Sequence, residues 1–370
     1  MKRLVLLGGG HAHVHVLDEF ARRPPENTEL VLVSPQPRHI YSGMLPGWIA
    51  GFYPLDQCTL PIARLADRCG ARHLQTAGTG VEPARRQVLL ADGSRLDYDL
   101  ISIDVGPSHD PDAIAGAGTH ALPVRPLEIF VAGWQDILAH AQTEGSADLA
   151  IVGGGAGGVE LALTMQGRLA REIGASQVRV RLVSASDTLL PGHASGAGKR
   201  LAGLLARRGI GCLMGRRAVA VGAEGVALDD GNSVAARRVV VATGAAAPVW
   251  PREAGLAVDG RGFILVDHRL CSPSHPEVFA AGDIASMIGH PRPKSGVYAV
   301  RAGPPLAANL RRALAGEPLR PYTPQHRALY LIGTGEAYAV ASWGPFSWAG
   351  RWVWRWKDRI DRSFIARYRV

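Results

Sequence analysis

Two apolar strands of this chain run straight into glycine, about 145 residues apart. Leu4-Val5-Leu6-Leu7-Gly8-Gly9-Gly10-His11-Ala12-His13 opens it, and Ala150-Ile151-Val152-Gly153-Gly154-Gly155-Ala156-Gly157-Gly158-Val159-Glu160 repeats the pattern in the middle. Glycine frees the backbone to turn tightly out of a strand into a helix, whose first N–H groups then point at whatever lies in the turn. A diphosphate is the ligand such groups suit. One run of this kind arises by chance, whereas a repeated strand, turn and helix is hard to obtain by accident. Two turns imply two dinucleotides, one held permanently and one admitted, which is the layout for passing a hydride between them.

Length and composition agree. At 370 residues the chain is long for one core, and two or three domains are expected. No apolar run reaches the roughly 18 residues that a membrane-crossing helix requires. The opening Met1 to Leu7 looks briefly like a secretory signal, but its apolar stretch ends after four residues at three glycines and lacks a small-residue cleavage site. It reads as the first core strand of a cytoplasmic protein. Cys58, Cys69, Cys212 and Cys271 are too far apart for a Cys-x-x-Cys pair or a zinc knuckle, so they read as separate thiols.

The periodicity predicts a first βα unit of strand 2–7, helix 11–22 and strand 30–33, then a helix over 60–69 and alternating strands over 86–103 with a hairpin turn at Asp92-Gly93. Pro107 to Pro126 reads as a crossing into a second domain. There strand 149–152, helix 157–173, strand 178–183 and helix 195–209 repeat the order, and Val239 to Gly244 ends in Ala-Thr-Gly. The chain is then expected to return to the first domain, because Val278-Phe279-Ala280-Ala281-Gly282-Asp283 is a buried strand whose last two residues suit a ribityl hydroxyl and a diphosphate. A helix starting at Gly296-Val297 is expected to kink or restart at Gly303-Pro304-Pro305. The architecture is α/β, with two Rossmann-like dinucleotide-binding domains, the first discontinuous: residues 1–115 and 247–325 around an insert at 116–246, and a C-terminal segment at 326–370.

The two glycine turns, the Ala-Thr-Gly strand between them and the late Ala-x-Gly-Asp resemble the two-dinucleotide flavoproteins of the pyridine nucleotide-disulfide oxidoreductase superfamily. Gly-Gly-Gly-His-Ala-His-Val followed by Tyr41-Ser42-Gly43-Met44-Leu45-Pro46-Gly47 is similar to a subgroup found beside, or fused ahead of, selenide, water dikinase, itself related to type II NADH dehydrogenases and sulfide:quinone oxidoreductases. The resemblance implies FAD at Gly8, Gly9, Gly10, His11, Ser34, Gly106, Gly282, Asp283, Gly296 and Val297. It implies NADH or NADPH at Gly153, Gly155, Gly158, Ser184 and Gly244. Glu160 corresponds to a glutamate that related enzymes place near the nicotinamide. Lys294, with the positive end of the helix begun at Gly296, is expected to stabilise charge developing on the flavin.

Departures from the family pattern narrow the chemistry. Residues 35–50 hold no cysteine, Cys212 is alone in the second domain, and none follows Cys271. The expected enzyme is therefore an FAD-dependent NAD(P)H dehydrogenase that hands electrons directly to a quinone or another small acceptor. The alternatives are a sulfide- or selenium-compound:quinone oxidoreductase and a flavin-bound accessory protein of selenium metabolism. Both second strands end in serine, Ser34 and Ser184, where an acid usually grips the ribose; without that acid or an adjacent arginine cluster, the second site leans towards tolerance of NADPH. His13 stands in place of the third glycine, so looser helix packing or a histidine contact to phosphate is expected. His11 and His15 share a helix face, but a metal there would compete with the cofactor, and none is expected.

Trp348, Trp352, Trp356, Ile360, Phe364 and Tyr368 recur every four residues, a slowly rotating stripe if helical. Seven Lys or Arg against two Asp between 343 and 370 give that tail +5 of the chain's formal +9. Two readings stay open: a basic amphipathic helix meeting an anionic membrane at its inner face, or a stripe packed against the body with its arginines in water. A homodimer is compatible with the second. Nucleic acid is not an expected partner, since no reading module accompanies the charge.

Overall fold

The computed structural model describes residues 1–108, 110 and 112–369; His109 and Pro111, within the expected crossing, and Val370, at the end of the tail segment, lie outside the described residues. Strand β1 (Lys2–Leu7) buries Leu4 to Leu7 consecutively, as a strand covered on both faces does. It feeds the first glycine turn and helix α1 (His11–Arg22). Strands β2 (Thr28–Val33), β3 (Arg72–Leu74) and β4 (Leu100–Ile103) follow. The chain then enters a second layer through β5 (Ala121–Pro123), α2 (Leu127–Glu144), β6 (Ala147–Val152), α3 (Ala156–Ile173), β7 (Val178–Val183), α4 (Ser195–Arg207), β8 (Gly211–Leu213) and β9 (Arg238–Val241). It comes back as β10 (Val278–Ala280) and α5 (Gly296–Ala315). Strands β11 (Leu329–Gly333), β12 (Ala339–Trp343) and β13 (Phe346–Gly350) and helix α6 (Arg351–Tyr368) complete it.

The two main sheets are copies of one plan. The first runs β10-β4-β1-β2-β3 and the second β5-β9-β6-β7-β8, every pairing parallel. In each, the strand that leads into a glycine turn is central. The expected pair of Rossmann-like units is present, and β10 returns beside β4 with Val278 opposite Ile101.

Three features depart from the sequence reading. Helix α2 was absent from it, although Phe130, Val131, Trp134, Ile137 and Ala141 form a buried helical face. Helix α5 neither restarts nor ends at Gly303-Pro304-Pro305. Its prolines remove two donors, but the helix lies so close along α1 that a Cβ on Gly303 would stand 2.7 Å from His15 Cβ, and Ala302, Leu306, Ala307 and Leu310 are buried in the contact. Packing holds what the local sequence would break. Strand β9 stops at Val241, so Ala242-Thr243-Gly244 is irregular backbone.

The tail stripe divides. Trp348 belongs to β13, not to the helix, while Trp352, Trp356 and Ile360 face outward at 54%, 38% and 42% exposure. Phe364 turns inward onto Tyr41, ring centroids 4.6 Å apart, and Tyr368 is buried. Among the tail's basic residues, Lys357 points into the body, paired with Asp361 at 2.8 Å.

Candidate functional site

Gly8 leaves β1 at φ +97°, and a Cβ there would lie 2.4 Å from the Asp104 carbonyl oxygen just beyond β4. Gly153 repeats this at φ +134° against the Ala242 carbonyl, again 2.4 Å. Both positions therefore require glycine on two counts, conformation and close approach. The serines repeat as well: Ser34 Oγ donates to the Gln36 carbonyl at 3.3 Å and Ser184 Oγ to that of Ser186 at 3.2 Å.

The third position is where the copies diverge. A Cβ on Gly158 would come within 1.9 Å of the Gly153 carbonyl oxygen, so α3 can pack only as glycine. At the equivalent place His13 Nδ1 lies 2.7 Å from the Gly8 carbonyl oxygen and Nε2 2.8 Å from Ser102 Oγ. The imidazole bonds to the carbonyl that would otherwise exclude a side chain. It is completely buried, and burial lowers its pKa to about 4. Both expectations for His13 are thus corrected: it makes no phosphate contact, because both nitrogens are engaged in the core, and it ties α1 to β1 and β4 rather than loosening them.

Asp104 supplies a device the sequence reading missed. Its Oδ2 accepts the N–H groups of Ala12 at 2.8 Å and His13 at 3.2 Å, capping α1 from a neighbouring strand. Burial raises the carboxyl to about 7, against those two hydrogen bonds and with help from Asp283. A signal existed: Ser102 and Asp104 are polar residues in an otherwise apolar run.

A cavity of about 500 Å³ opens beside the first turn. Gly8, Gly9, Gly10, His11, Ser34, Gly106, Asp283 and Gly296 line it, so the structure brings together most of the expected first-site residues. Arg38, His39 and Arg125 line it too and were missed, being ordinary loop residues in sequence. Arg125 approaches Asp283 at 3.5 Å, and burial raises the Asp283 carboxyl despite Arg125 and Lys294. Gly282 sits against the Asp104 carboxyl, and Val297 is in the first turn of α5. The cavity fits a dinucleotide on two observations. The backbone at Gly106 and Gly296 faces open space, and the glycine turn Gly8 to Gly10 that opens α1 lines it.

The remaining expected residues lie elsewhere. Lys294 does not line this cavity but a smaller one of about 70 Å³; its ammonium donates to the Ala285 carbonyl at 2.6 Å and sits 3.8 Å from the Phe263 ring centroid, and burial lowers it to about 8. Around the second turn, Gly155 and Gly244 face open space and Ser184 lies against Gly154. Glu160 leans away from the turn towards the tail, its Oε1 accepting the Gly333 N–H at 2.6 Å. Burial raises it to about 7, opposed by Lys357. Lys357 also donates to the Gly43 carbonyl at 2.6 Å, and Tyr41 donates to Asp361 at 3.2 Å. His15 leaves His11 for Tyr368, 3.3 Å from its hydroxyl, and no group of three His, Cys, Asp or Glu suited to a metal occurs among the described residues.

The model of the pyridine nucleotide-disulphide oxidoreductase family matches residues 2–303. An NADH dehydrogenase-like protein of Mycobacterium tuberculosis is 27% identical over 301 residues, covering 77% of this chain and 73% of that protein. The alternative NAD(P)H-ubiquinone oxidoreductase C1 of Arabidopsis thaliana is 23% identical over 362 residues, covering 86% and 69%. Among solved structures, the sulfide:quinone oxidoreductase of Aquifex aeolicus superposes with a TM-score of 0.83 at 18% identity, over 100% of this chain and 92% of that one. NDH2 from Plasmodium falciparum in complex with NADH gives 0.79 at 15%, over 98% and 97%.

Proposed function

This chain belongs to the pyridine nucleotide-disulphide oxidoreductase family, and from that premise we propose that it oxidises NADH or NADPH through bound FAD and passes the electrons directly to a quinone or another small acceptor. It is an oxidoreductase of the NADH dehydrogenase-like kind. The observation that carries the direct transfer is the position of the thiols. Among the described residues, none of the four cysteines lines the 500 Å³ cavity. Burial pushes Cys58 up to about 12 and Cys69 and Cys271 up to about 11, which leaves little thiolate to act as a relay.

When bound, FAD supplies a ring that takes up a hydride and releases electrons one or two at a time. The chain's own residues hold and orient it. The glycine turn at Gly8 to Gly10 and the start of α1 offer N–H groups to the diphosphate, Arg125 adds a cation, and Asp283 offers a carboxylate to hydroxyls. The start of α5 at Gly296 and Val297 turns its positive end to the cavity. At the second turn, Gly153 to Gly155 receive the nicotinamide dinucleotide, with Gly158 letting α3 pack close behind them. Anaerobic addition of NADH or NADPH to the purified yellow protein is expected to bleach the flavin, and a soluble ubiquinone analogue to restore the colour. Absence of bleaching, or loss of quinone reduction when Cys58 and Cys69 are both replaced by serine, would sink the reading.

A lipid-soluble acceptor is met at a membrane surface, and the tail suits that encounter. No helix among the described residues is long and apolar enough to cross a bilayer. Outward from α6, however, Trp352 and Trp356 stack with centroids 6.4 Å apart beside exposed Arg351, Arg355 and Arg359. On β13, Phe346 and Trp348 are also exposed and stacked on each other. Such a face enters the headgroup region of anionic lipid. The double variant Trp352→Ser/Trp356→Ser is expected to lower co-sedimentation with phosphatidylcholine/phosphatidylglycerol vesicles by about tenfold or more, with flavin content unchanged. Equal co-sedimentation of the variant and the parent would remove the membrane from the proposal.

A further inference from the structure

Three parts of the chain meet at one junction. The short helix Leu45–Ile49 of the first domain buries Leu45 and Ile49 in the same apolar core as Leu163 and Met165 of α3, Ile332 of β11 and Val340 of β12. It follows Ser42, which lines the first cavity, while α3 starts at the second glycine turn, so a slip at this junction moves one site against the other. The turn at 334–338 between β11 and β12 is laid directly on α3: Gly335 has φ +78°, and a Cβ there would stand 2.8 Å from Thr164 Cα. Two arginines fork across the seam. Arg208, just past α4, donates to the Leu163 carbonyl at 3.1 Å and the Thr334 carbonyl at 2.6 Å, and pairs with Glu336 at 2.7 Å. Arg171 of α3 donates to the Gly335 carbonyl at 3.1 Å and, through its other terminal nitrogen, to the Ala50 carbonyl of the first domain. Helix α6 holds the same first-domain segment: Tyr41 donates to Asp361, Tyr53 to Asp358, and Lys357 to the Gly43 carbonyl.

We propose that the tail clamps the second domain onto the first, and that Arg171 and Arg208 are the positioning residues that fix the gap across which the hydride passes. This rests on the reading that a nicotinamide held at the second turn reduces flavin held in the first cavity. Hydride transfer needs its two reacting atoms about 3–3.5 Å apart, and an error of about 1 Å costs on the order of a hundredfold in rate. Apolar contact alone is a poor ruler at that precision, because it has no direction. The guanidinium supplies one: its N–H groups form a rigid planar fork, so each arginine suits a narrow range of arrangements of the carbonyls it joins. Arg171 joins all three parts with a single side chain. Glu160 adds a further tie, accepting the Gly333 N–H from the end of β11.

The test breaks the clamp at either end. Arg171→Met/Arg208→Met frees the turn from α3, and Tyr41→Phe/Tyr53→Phe loosens α6 from the first domain. Nitroxide labels go on Cys212, the exposed one of the four cysteines, and on an Arg85→Cys substitution at an exposed side chain of the first domain. The parent is expected to give one narrow inter-label distance distribution, and each double variant a broader one, with or without added FAD. Under anaerobic single turnover, bleaching of the flavin by NADH is expected to slow by about tenfold or more at saturation, with NADH half-saturation and flavin content unchanged. Because both ends belong to one clamp, the quadruple variant should be no slower than the slower double variant. Should a double variant not fold, Arg208→Gln and Tyr53→Phe are read in the same way. Unchanged distance distributions would overturn the proposal. So would losses that multiply in the quadruple variant, or a half-saturation that rises while the limiting rate holds. Parent flavin that neither NADH nor NADPH bleaches would instead refute the underlying reading of the reaction, and the distance distributions would still decide the clamp.

Discussion

Replacing Lys357 by methionine is expected to destabilise the protein by about 3–5 kcal/mol at pH 8, the cost of leaving buried charge without its partner. The ammonium stands between three elements. It pairs with Asp361 at 2.8 Å, donates to the Gly43 carbonyl at 2.6 Å, and faces Glu160 of α3. Burial works against the charged form of Lys357, but Asp361 and Glu160 outweigh it and raise its pKa. Methionine has nearly the same length and fills the space, so the loss is electrostatic. The sign follows from the acids left behind. Burial already raises Asp361 and Glu160, and without the cation both rise further. Carboxyls raised in the folded state contribute stability that is lost as pH increases through their folded values. The variant should therefore approach the parent near pH 5 and fall away towards pH 8. Thermal unfolding at the two pH values checks this. A cost below about 1 kcal/mol, or one independent of pH, would show that the cluster is not a coupled unit.

Asp104→Asn is expected to flatten the parent's loss of stability between about pH 4 and pH 7 and to strengthen flavin retention at pH 8. Asp104 is 2% exposed, and burial raises its carboxyl from the ordinary value of 3.8 to about 7. A folded value above the unfolded one means that the native state binds the proton more tightly. The stability is fully present below the unfolded value and disappears as pH rises through about 7, worth on the order of 4 kcal/mol if the whole shift is realised. Asparagine keeps an oxygen to accept from Ala12 and His13 and carries no charge at any of these pH values. It also removes a negative charge from beneath the turn that would hold a diphosphate. Melting temperature and released flavin, each measured against pH for parent and variant, are the readouts. Parallel pH profiles would remove Asp104 from this role.

Much of the fold was legible because glycine at Gly8 and Gly153 serves a local need, a positive φ where a strand turns into a helix; the close Asp104 and Ala242 carbonyls that also exclude a side chain come from distant strands. The central strands were legible for a similar reason, since burial on both faces writes an unbroken apolar run. Helix α5 was read wrongly at Pro304 because local breakers were weighed without the packing of α1 against Gly303. The site was half visible. Residues belonging to the turns were found, while His39, Arg125 and Asp104 reach the cavity or its floor from other loops and strands with no motif around them. Lys294 was assigned by its nearness in sequence to Gly296, yet its side chain leaves on the Phe263 side.

The sequence by itself determined that two glycine turns of the dinucleotide-binding kind exist, because the backbone freedom of glycine at the end of an apolar strand is a local property. Only the tertiary structure decided how the copies differ. His13 could be recognised as a lost glycine, but its role depends on Gly8 and Ser102, the latter 89 residues away. The tail carried its charge openly, but whether Lys357 meets water or Glu160 depends on how α6 rotates over β11 to β13. Such choices are made by desolvation and pairing among groups distant in the chain, and a linear pattern does not record which groups will meet.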